Sequence, residues 1–278
     1  RLARAQQLTT HMSPASRHGD KSNRIDRNSV APLCVVASMR KNSEEDMIEE
    51  PPVLTIRSNL RRPSDAQIAA FQGLQTGFVV DALFGGGALS PDIQPVGGGR
   101  DVNCVAAGPA LTADNGAADI LATHAALKFV RAGDIVVAAH DGYTGCATVG
   151  DSVMGMLKNS GAAGFVSDGP ARDYEGIFRV GLPLWCTGLT PASPHMSGPG
   201  TVGFPVQIGG QQVETGDMVV ADRDGVVVVP FARIDEVIAR LERIRELESE
   251  RDAQVAGGMR APAWVDEFLA GNKTVYRD

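Results

Sequence analysis

The sequence predicts an α/β fold, on three observations. Apolar runs of strand length alternate with helical patterns through the middle of the chain. Turns containing Gly, Asp and Pro separate them, and a long amphipathic helix follows the last strand-like run. In order, Ser64-Asp65 ahead of AQIAAFQGL has the form of a helix start, with Ile68 and Phe71 on one face. GFVVDALFGGG is a short apolar run ending in three glycines, and NCVAAGPALTA reads as a strand. AADILATHAALKFV reads as a helix whose apolar stripe is Ile120, Leu121, Ala125, Leu127 and Phe129. DSVMGMLKNSGA reads as a helix, AGFVSDG as a strand with its exit turn, and PLWCTGL as another short strand. Gly200 to Pro230 reads as several strands joined by Gly turns. The last helix begins near Ile234, with Ile238, Leu241, Ile244 and Leu247 at helical spacing.

An internal echo stands out. GDIVVAAHDG (Gly133–Gly142) and GDMVVADRDG (Gly216–Gly225) match at seven of ten positions. Each copy reads as a turn, a buried strand and a second turn. Shared turn chemistry explains the echo better than a duplicated site, because the surroundings of the two copies differ.

Composition excludes several function classes. The formal charge is −7, without the basic excess of a general nucleic-acid or anionic-membrane binder. Cys34, Cys104, Cys146 and Cys186 form no CxxC pair, which speaks against a zinc ribbon or disulfide scaffold. They fit separate reduced thiols in a cytoplasmic protein. No apolar run reaches the ~18 residues of a membrane span. The glycine triplets Gly85–Gly87 and Gly97–Gly99 open no phosphate-binding pattern. His140 and His195 sit in no zinc spacing.

The chemistry concentrates in two places. In GFVSDGPARD an apolar strand ends at Asp168-Gly169, and the turn then presents Arg172 beside Asp173. Arg carries a fixed fork of donors suited to a carboxylate or an enolate oxygen, and a carboxylate is a hard ligand for Mg²⁺ or Mn²⁺. A surface ion pair is the plainer reading of the pair alone. Gly150-Asp151-Ser152 stands where a loop enters a helix. Asp and Ser cap helices, and the same helix start is an anion site that Gly150 leaves open to close approach.

Taken together, GD at a helix start, GAAGFVSDGPARD, TGLTPASP and VQIGG…VETGDMVVADRDGVVVVP resemble the RraA-like family. The resemblance covers about Pro63 to Asp252. That family includes 4-hydroxy-4-methyl-2-oxoglutarate aldolases, relatives that decarboxylate oxaloacetate, and regulators of ribonuclease E. It implies a compact three-layer, swivelling-type α/β domain that forms homotrimers or homohexamers with the active site in a cleft between subunits. Residues 1 to about 50 are polar around one short apolar stretch and read as mostly disordered, with a targeting peptide or misassigned upstream sequence as alternatives. The division is then 1–62 as a largely disordered extension, 63–252 as the catalytic domain and 253–278 as a docking tail.

By resemblance, Gly150, Asp151, Ser152 and Val153 bind the substrate, a small 2-oxo acid. Arg172 binds that acid and stabilises its enolate, and Asp173 holds Mg²⁺ or Mn²⁺. The implied activity is a metal-dependent lyase that releases pyruvate, by aldol cleavage or by oxaloacetate decarboxylation. Aldol cleavage needs a base for the 4-hydroxyl proton, and a metal-ordered water is the expected agent, since the turn supplies no His. Decarboxylation needs no such base. The alternative is a non-catalytic, protein-binding regulator of a ribonuclease. The pattern departs from many family aldolases at one point: three positions beyond Asp173 stands Gly176, and the acid is Glu175. Glu246, Glu248 and Glu250 are candidates for an acid donated by another subunit.

Overall fold

The computed structural model describes residues 52–278. The expectation for residues 1–51 lies outside them. The chain runs β1 (Leu54–Ile56), α1 (Asp65–Ala70), α2 (Thr76–Ala82), β2 (Gln94–Pro95), β3 (Ala106–Asp114) and α3 (Leu121–Ala126). It continues through β4 (Ile135–Ala139), α4 (Asp151–Asn159), β5 (Gly164–Ser167), α5 (Tyr174–Val180), β6 (Leu184–Cys186) and β7 (Gly200–Val202). It ends with β8 (Val206–Ile208), β9 (Gln211–Val213), β10 (Met218–Ala221), β11 (Val226–Val229), α6 (Ile234–Ala256) and α7 (Ala263–Ala270).

One mixed sheet forms the centre, in the order β1-β7-β3-β4-β5-β6-β2. Its middle strands β3, β4, β5 and β6 are parallel, and α4 and α5 make the crossovers between β4, β5 and β6. β10 pairs antiparallel with β3, and β11 with β10. The run of four valines shows why the sheet is covered on both faces. Val226 and Val228 belong to one apolar cluster with β4, β5 and α4, while Val227 and Val229 belong to a second with α1, α2 and α6. Strand side chains alternate in direction, so an unbroken apolar run feeds two cores. All five residues of β4 are buried, and each buried Val or Ile contributes about 1.5–3 kcal/mol.

Sequence patterns locate several elements closely. Ser64 caps α1 in a reciprocal box with Gln67, and Phe71 is buried behind it. GFVVDA folds as the helix α2. Other expectations are corrected. The helix expected across Ala117–Val130 is only Leu121–Ala126. The Asp119 carboxylate accepts from the Leu121 amide at 2.7 Å and starts the helix late. Its buried face is Ala122, Thr123 and Ala126, small residues packed on β3 and β7, rather than the larger apolar stripe. The last helix begins at Ile234 as expected, but Leu247 is exposed, and the helix crosses the boundary placed at 252.

Residues 52–62 are part of the fold, not a disordered extension. β1 pairs parallel with β7, which satisfies its backbone. The arginines that follow then explain the internal echo. Asp134 accepts from the Arg131 amide at 2.8 Å, and Asp217 accepts from the Glu214 amide at 2.8 Å, the same three-residue turn in both copies. Arg62 pairs with Asp134, and Arg61 pairs with Asp217 at 3.2 Å. Adjacent arginines thus clamp the two equivalent turns. Replacing both with alanine leaves two buried carboxylates without their cations. The expected loss is about 2–4 kcal/mol in urea unfolding, below the figure for fully buried pairs because the Arg61 head is partly in water.

Candidate active site

The site is built where the loops after β4, β5 and β6 meet. The Thr148 amide donates to Pro170 O at 2.8 Å, and the Arg172 amide donates to Val149 O at 3.0 Å. The Ala171 amide donates to Gly188 O at 2.9 Å, so three loops lie side by side like short strands. This backbone frame fixes Arg172 and Asp173 against the start of α4. Gly150–Val153, Arg172 and Asp173 line one cleft of about 310 Å³. All six residues singled out in the sequence therefore come together.

Each side chain has an identifiable orienting partner. Arg172 Nη1 donates to Ser193 Oγ at 2.8 Å, and its Nε lies 3.2 Å from Asp173 Oδ2. Asp173 stands before α5 in the left-handed region, at φ 61° and ψ 45°, but its side chain caps nothing. Such a conformation costs of order 1–3 kcal/mol for a non-glycine residue and concentrates at functional sites. Asp151 and Ser152 do not cap α4; they lie inside it, behind Gly150, and among the described residues no side chain caps that helix start. The first amides of α4 thus carry no side-chain cap, and the positive end of the helix dipole lies behind them.

Two glycines are required by close approach. A Cβ on Gly150 would lie 2.7 Å from Asp173 Oδ2 and 3.3 Å from Arg172 Nε. A Cβ on Gly176 would clash with the Asp151 carboxylate, which fills the space above α5. The sequence position where an acid was missing is therefore covered by Asp151. Glu175 is exposed and does not line the cleft.

Other titratable groups are occupied elsewhere. His140 is buried, and burial pushes its pKa down to about 4, against hydrogen bonding to Ala138 O. Its Nδ1 sits 3.2 Å from Ser167 Oγ, so it is a neutral member of the core. A larger cavity of about 560 Å³ reaches Asp168. The amides of His140 and Gly142 hold that carboxylate at 2.7 and 2.9 Å. Burial raises its pKa, and those two hydrogen bonds lower it. Burial also pushes up the thiols of Cys104, Cys146 and Cys186, which suits inert core residues.

His140 has a consequence for stability. Its folded pKa lies below the ordinary 6.5, so the unfolded chain binds the proton first. Its contribution is complete above pH 6.5 and is lost as the pH falls towards 4. The full swing is about 3 kcal/mol. Asp168, shifted upward, has the opposite sign and offsets part of it at the acid end. Denaturation midpoints across that range should flatten in His140→Gln.

Among the cleft residues that sequence reasoning missed are Ser193, which holds Arg172, and His124, on α3. No local spacing marks His124. It reaches the cleft because the Ile120 amide donates to His195 O at 3.0 Å and the His195 amide donates to Ala118 O at 2.8 Å. These bonds tie the start of α3 to the loop that carries Ser193.

Comparison with known proteins then places the chain. The family described as RraA-like, Aldolase/RraA, matches residues 76–228, more than half of it. This protein belongs to the RraA-like family. A relative from Halalkalibacterium halodurans, named "Putative 4-hydroxy-4-methyl-2-oxoglutarate aldolase", is 31% identical over 203 residues, 73% of this chain and 95% of its own. Among solved structures, Streptomyces coelicolor RraAS2 is described as an unusual member of the RNase ES inhibitor RraA protein family. It matches with a TM-score of 0.60 and 29% identity, over 69% of this chain and 100% of that one. An uncharacterized protein from Pseudomonas syringae pv. tomato matches with a TM-score of 0.63 and 25% identity, over 72% and 93%. The RraA-like match includes every cleft residue named above. Among the described residues, no helix is long and apolar enough to cross a membrane.

Proposed function

We propose that this RraA-like protein is a divalent-metal-dependent lyase that cleaves a C–C bond of short 2-oxo acids to give pyruvate. Its substrates on this reading are 4-hydroxy-4-methyl-2-oxoglutarate, oxaloacetate, or both. The observation that carries the reading is the convergence, in one cleft, of the uncapped start of α4 with Arg172 and Asp173.

The donor set fits a hard cation. Asp173 offers a carboxylate that caps no helix, and the Asp151 carboxylate stands near the same helix start. Among the described residues, no group of three or more ligating side chains occurs. That suits Mg²⁺ or Mn²⁺, which take one or two carboxylates and complete their shell with water and substrate oxygens. Asp173 would hold the ion, which when bound supplies Lewis-acid stabilisation of an oxyanion.

The chain's own groups do the rest. The amides of Asp151, Ser152 and Val153 receive a substrate carboxylate at the positive end of α4. Arg172, held by Ser193 and Asp173, directs charge-assisted donors at the C2 oxygen, where negative charge grows as the C–C bond breaks. Preorganisation matters because these donors need not reorient during the reaction.

The same reading takes the protein as a homotrimer or homohexamer whose cleft a neighbouring subunit covers. In support, Met156 and Met196 line the cleft yet are exposed, Met196 at 62%. Glu246 and Glu250 lie on the exposed part of α6 beyond its last buried residue, Leu241.

The likeness to RraAS2 favours a second reading, a protein-binding regulator of a ribonuclease with an idle cleft. Pyruvate release from both substrates, with EDTA and with added Mg²⁺ or Mn²⁺, separates the two. Metal-dependent turnover supports the lyase. No turnover with either ion, together with a ribonuclease partner captured equally by wild type and Asp173→Ala, supports the regulator.

A further inference from the structure

We propose that His124 is the acid–base residue of aldol cleavage in this cleft, taking the 4-hydroxyl proton directly. The proposal rests on the lyase reading above. It assigns a role that Asp173 and Arg172 do not fill.

The tautomer carries the argument. His124 Nδ1 lies 3.0 Å from the carbonyl oxygen of Ile120, one helical turn back. A carbonyl can only accept, so Nδ1 bears the hydrogen, and in the neutral ring the lone pair is on Nε2. That bond also fixes the ring's orientation, as an orienting carbonyl or carboxylate does for a catalytic histidine. His124 is half-buried and lines the same cleft as Arg172 and the start of α4.

The other polar side chains of the cleft are engaged. Asp173 faces the Arg172 guanidinium, Asp151 packs over Gly176, and Ser193 accepts from Arg172. Ile120, Ala147, Pro194 and Met196 supply an apolar wall beside His124. His124 is the histidine in the lining, and among the described residues no hydrogen bond engages its Nε2.

The step balances without a further reactant. Nε2 takes the hydroxyl proton at C4, and the O–H electron pair becomes the C4=O π bond. The C3–C4 bond breaks, and its pair moves into the C2–C3 double bond as the C2 oxygen takes the negative charge beside Arg172. Nε2–H then returns the proton to C3, forming the methyl group of pyruvate. For 4-hydroxy-4-methyl-2-oxoglutarate both fragments are pyruvate. Oxaloacetate has no hydroxyl proton to remove, and its enolate can take a proton from solvent, so decarboxylation does not require His124.

That difference supplies an internal control. His124→Asn keeps an amide N–H able to reach the Ile120 carbonyl but has no basic nitrogen. Aldol cleavage should fall about 10²–10⁴-fold, the usual range for loss of a general base. Oxaloacetate decarboxylation should stay within about threefold, a margin set well below that loss. Free imidazole should restore part of the aldol rate, and calorimetric affinity for oxalate, an enolate analogue, should be unchanged. The proposal is overturned if aldol cleavage survives in His124→Asn, if both reactions fall together, or if oxalate binding is lost. A wild type inactive on both substrates fails the lyase reading itself, and this assignment with it.

Discussion

Arg172→Ala should lower oxaloacetate decarboxylation by about 10²–10³-fold in kcat, the cost of removing a single preorganised oxyanion donor. The guanidinium is fixed at two points, by Ser193 Oγ at 2.8 Å and by Asp173 Oδ2 at 3.2 Å, so its remaining donors have a set direction. Its side chain is 38% exposed and lies in no apolar cluster, so the melting temperature should move little. Arg172→Lys should recover only a small part of the rate. An ammonium is a point charge and cannot reach Ser193, Asp173 and a substrate oxygen in the fork geometry of Arg. Steady-state kinetics together with thermal denaturation check both halves. Full activity in Arg172→Ala would sink the mechanism, and a large drop in melting temperature would show that the residue is structural.

Gly150→Ala should lose activity about 10²-fold while remaining folded. At φ −133° and ψ −178° the backbone is extended, which alanine adopts freely, so the substitution carries no backbone strain. The new methyl would stand 2.7 Å from Asp173 Oδ2 and 3.3 Å from Arg172 Nε, so Arg172 and Asp173 must move aside. A displacement of about 1 Å at a reacting site can cost 10²-fold. Gly176→Ala makes the useful contrast. Its methyl meets Asp151 where α4 packs on α5, so it should lower stability as well as activity. Melting curves beside kcat distinguish the two, and equal destabilisation in both variants would contradict the account of Gly150.

Much of this was legible in the sequence because local physics and tertiary context agree. The Ser64 cap, the β3, β5 and β6 runs and the four valines of β11 each read correctly, since turn chemistry and apolar runs point the same way as the fold. Arg172, Asp173 and the α4 start were legible singly, because strand ends and helix starts are where loops present ligand groups, and the resemblance to the RraA-like family joined them into one set. What escaped depends on contacts distant in sequence. β1 has only three residues, and its partner β7 lies far along the chain. The roles of Arg61 and Arg62 are visible only once Asp134 and Asp217 are folded towards them. The shortened α3 is set by the Asp119 side chain, and its buried face is made of small residues, so a stripe of large apolar residues misplaced it. Gly176 read as a missing acid, because nothing local shows that Asp151 occupies that space. His124 has no motif around it, and only the bonds between Ile120, Ala118 and His195 bring it to the cleft.

The central claim is that the start of α4, Arg172 and Asp173 form one site for the enolate of pyruvate and its cation. A crystal structure with Mn²⁺ and oxalate tests it most directly. The account predicts Mn²⁺ on the Asp173 carboxylate, with oxalate between the Arg172 guanidinium and the amides of Asp151 to Val153. Mn²⁺ and oxalate in the cavity beside Asp168, or an empty cleft at Arg172 under saturating ligand, would contradict it.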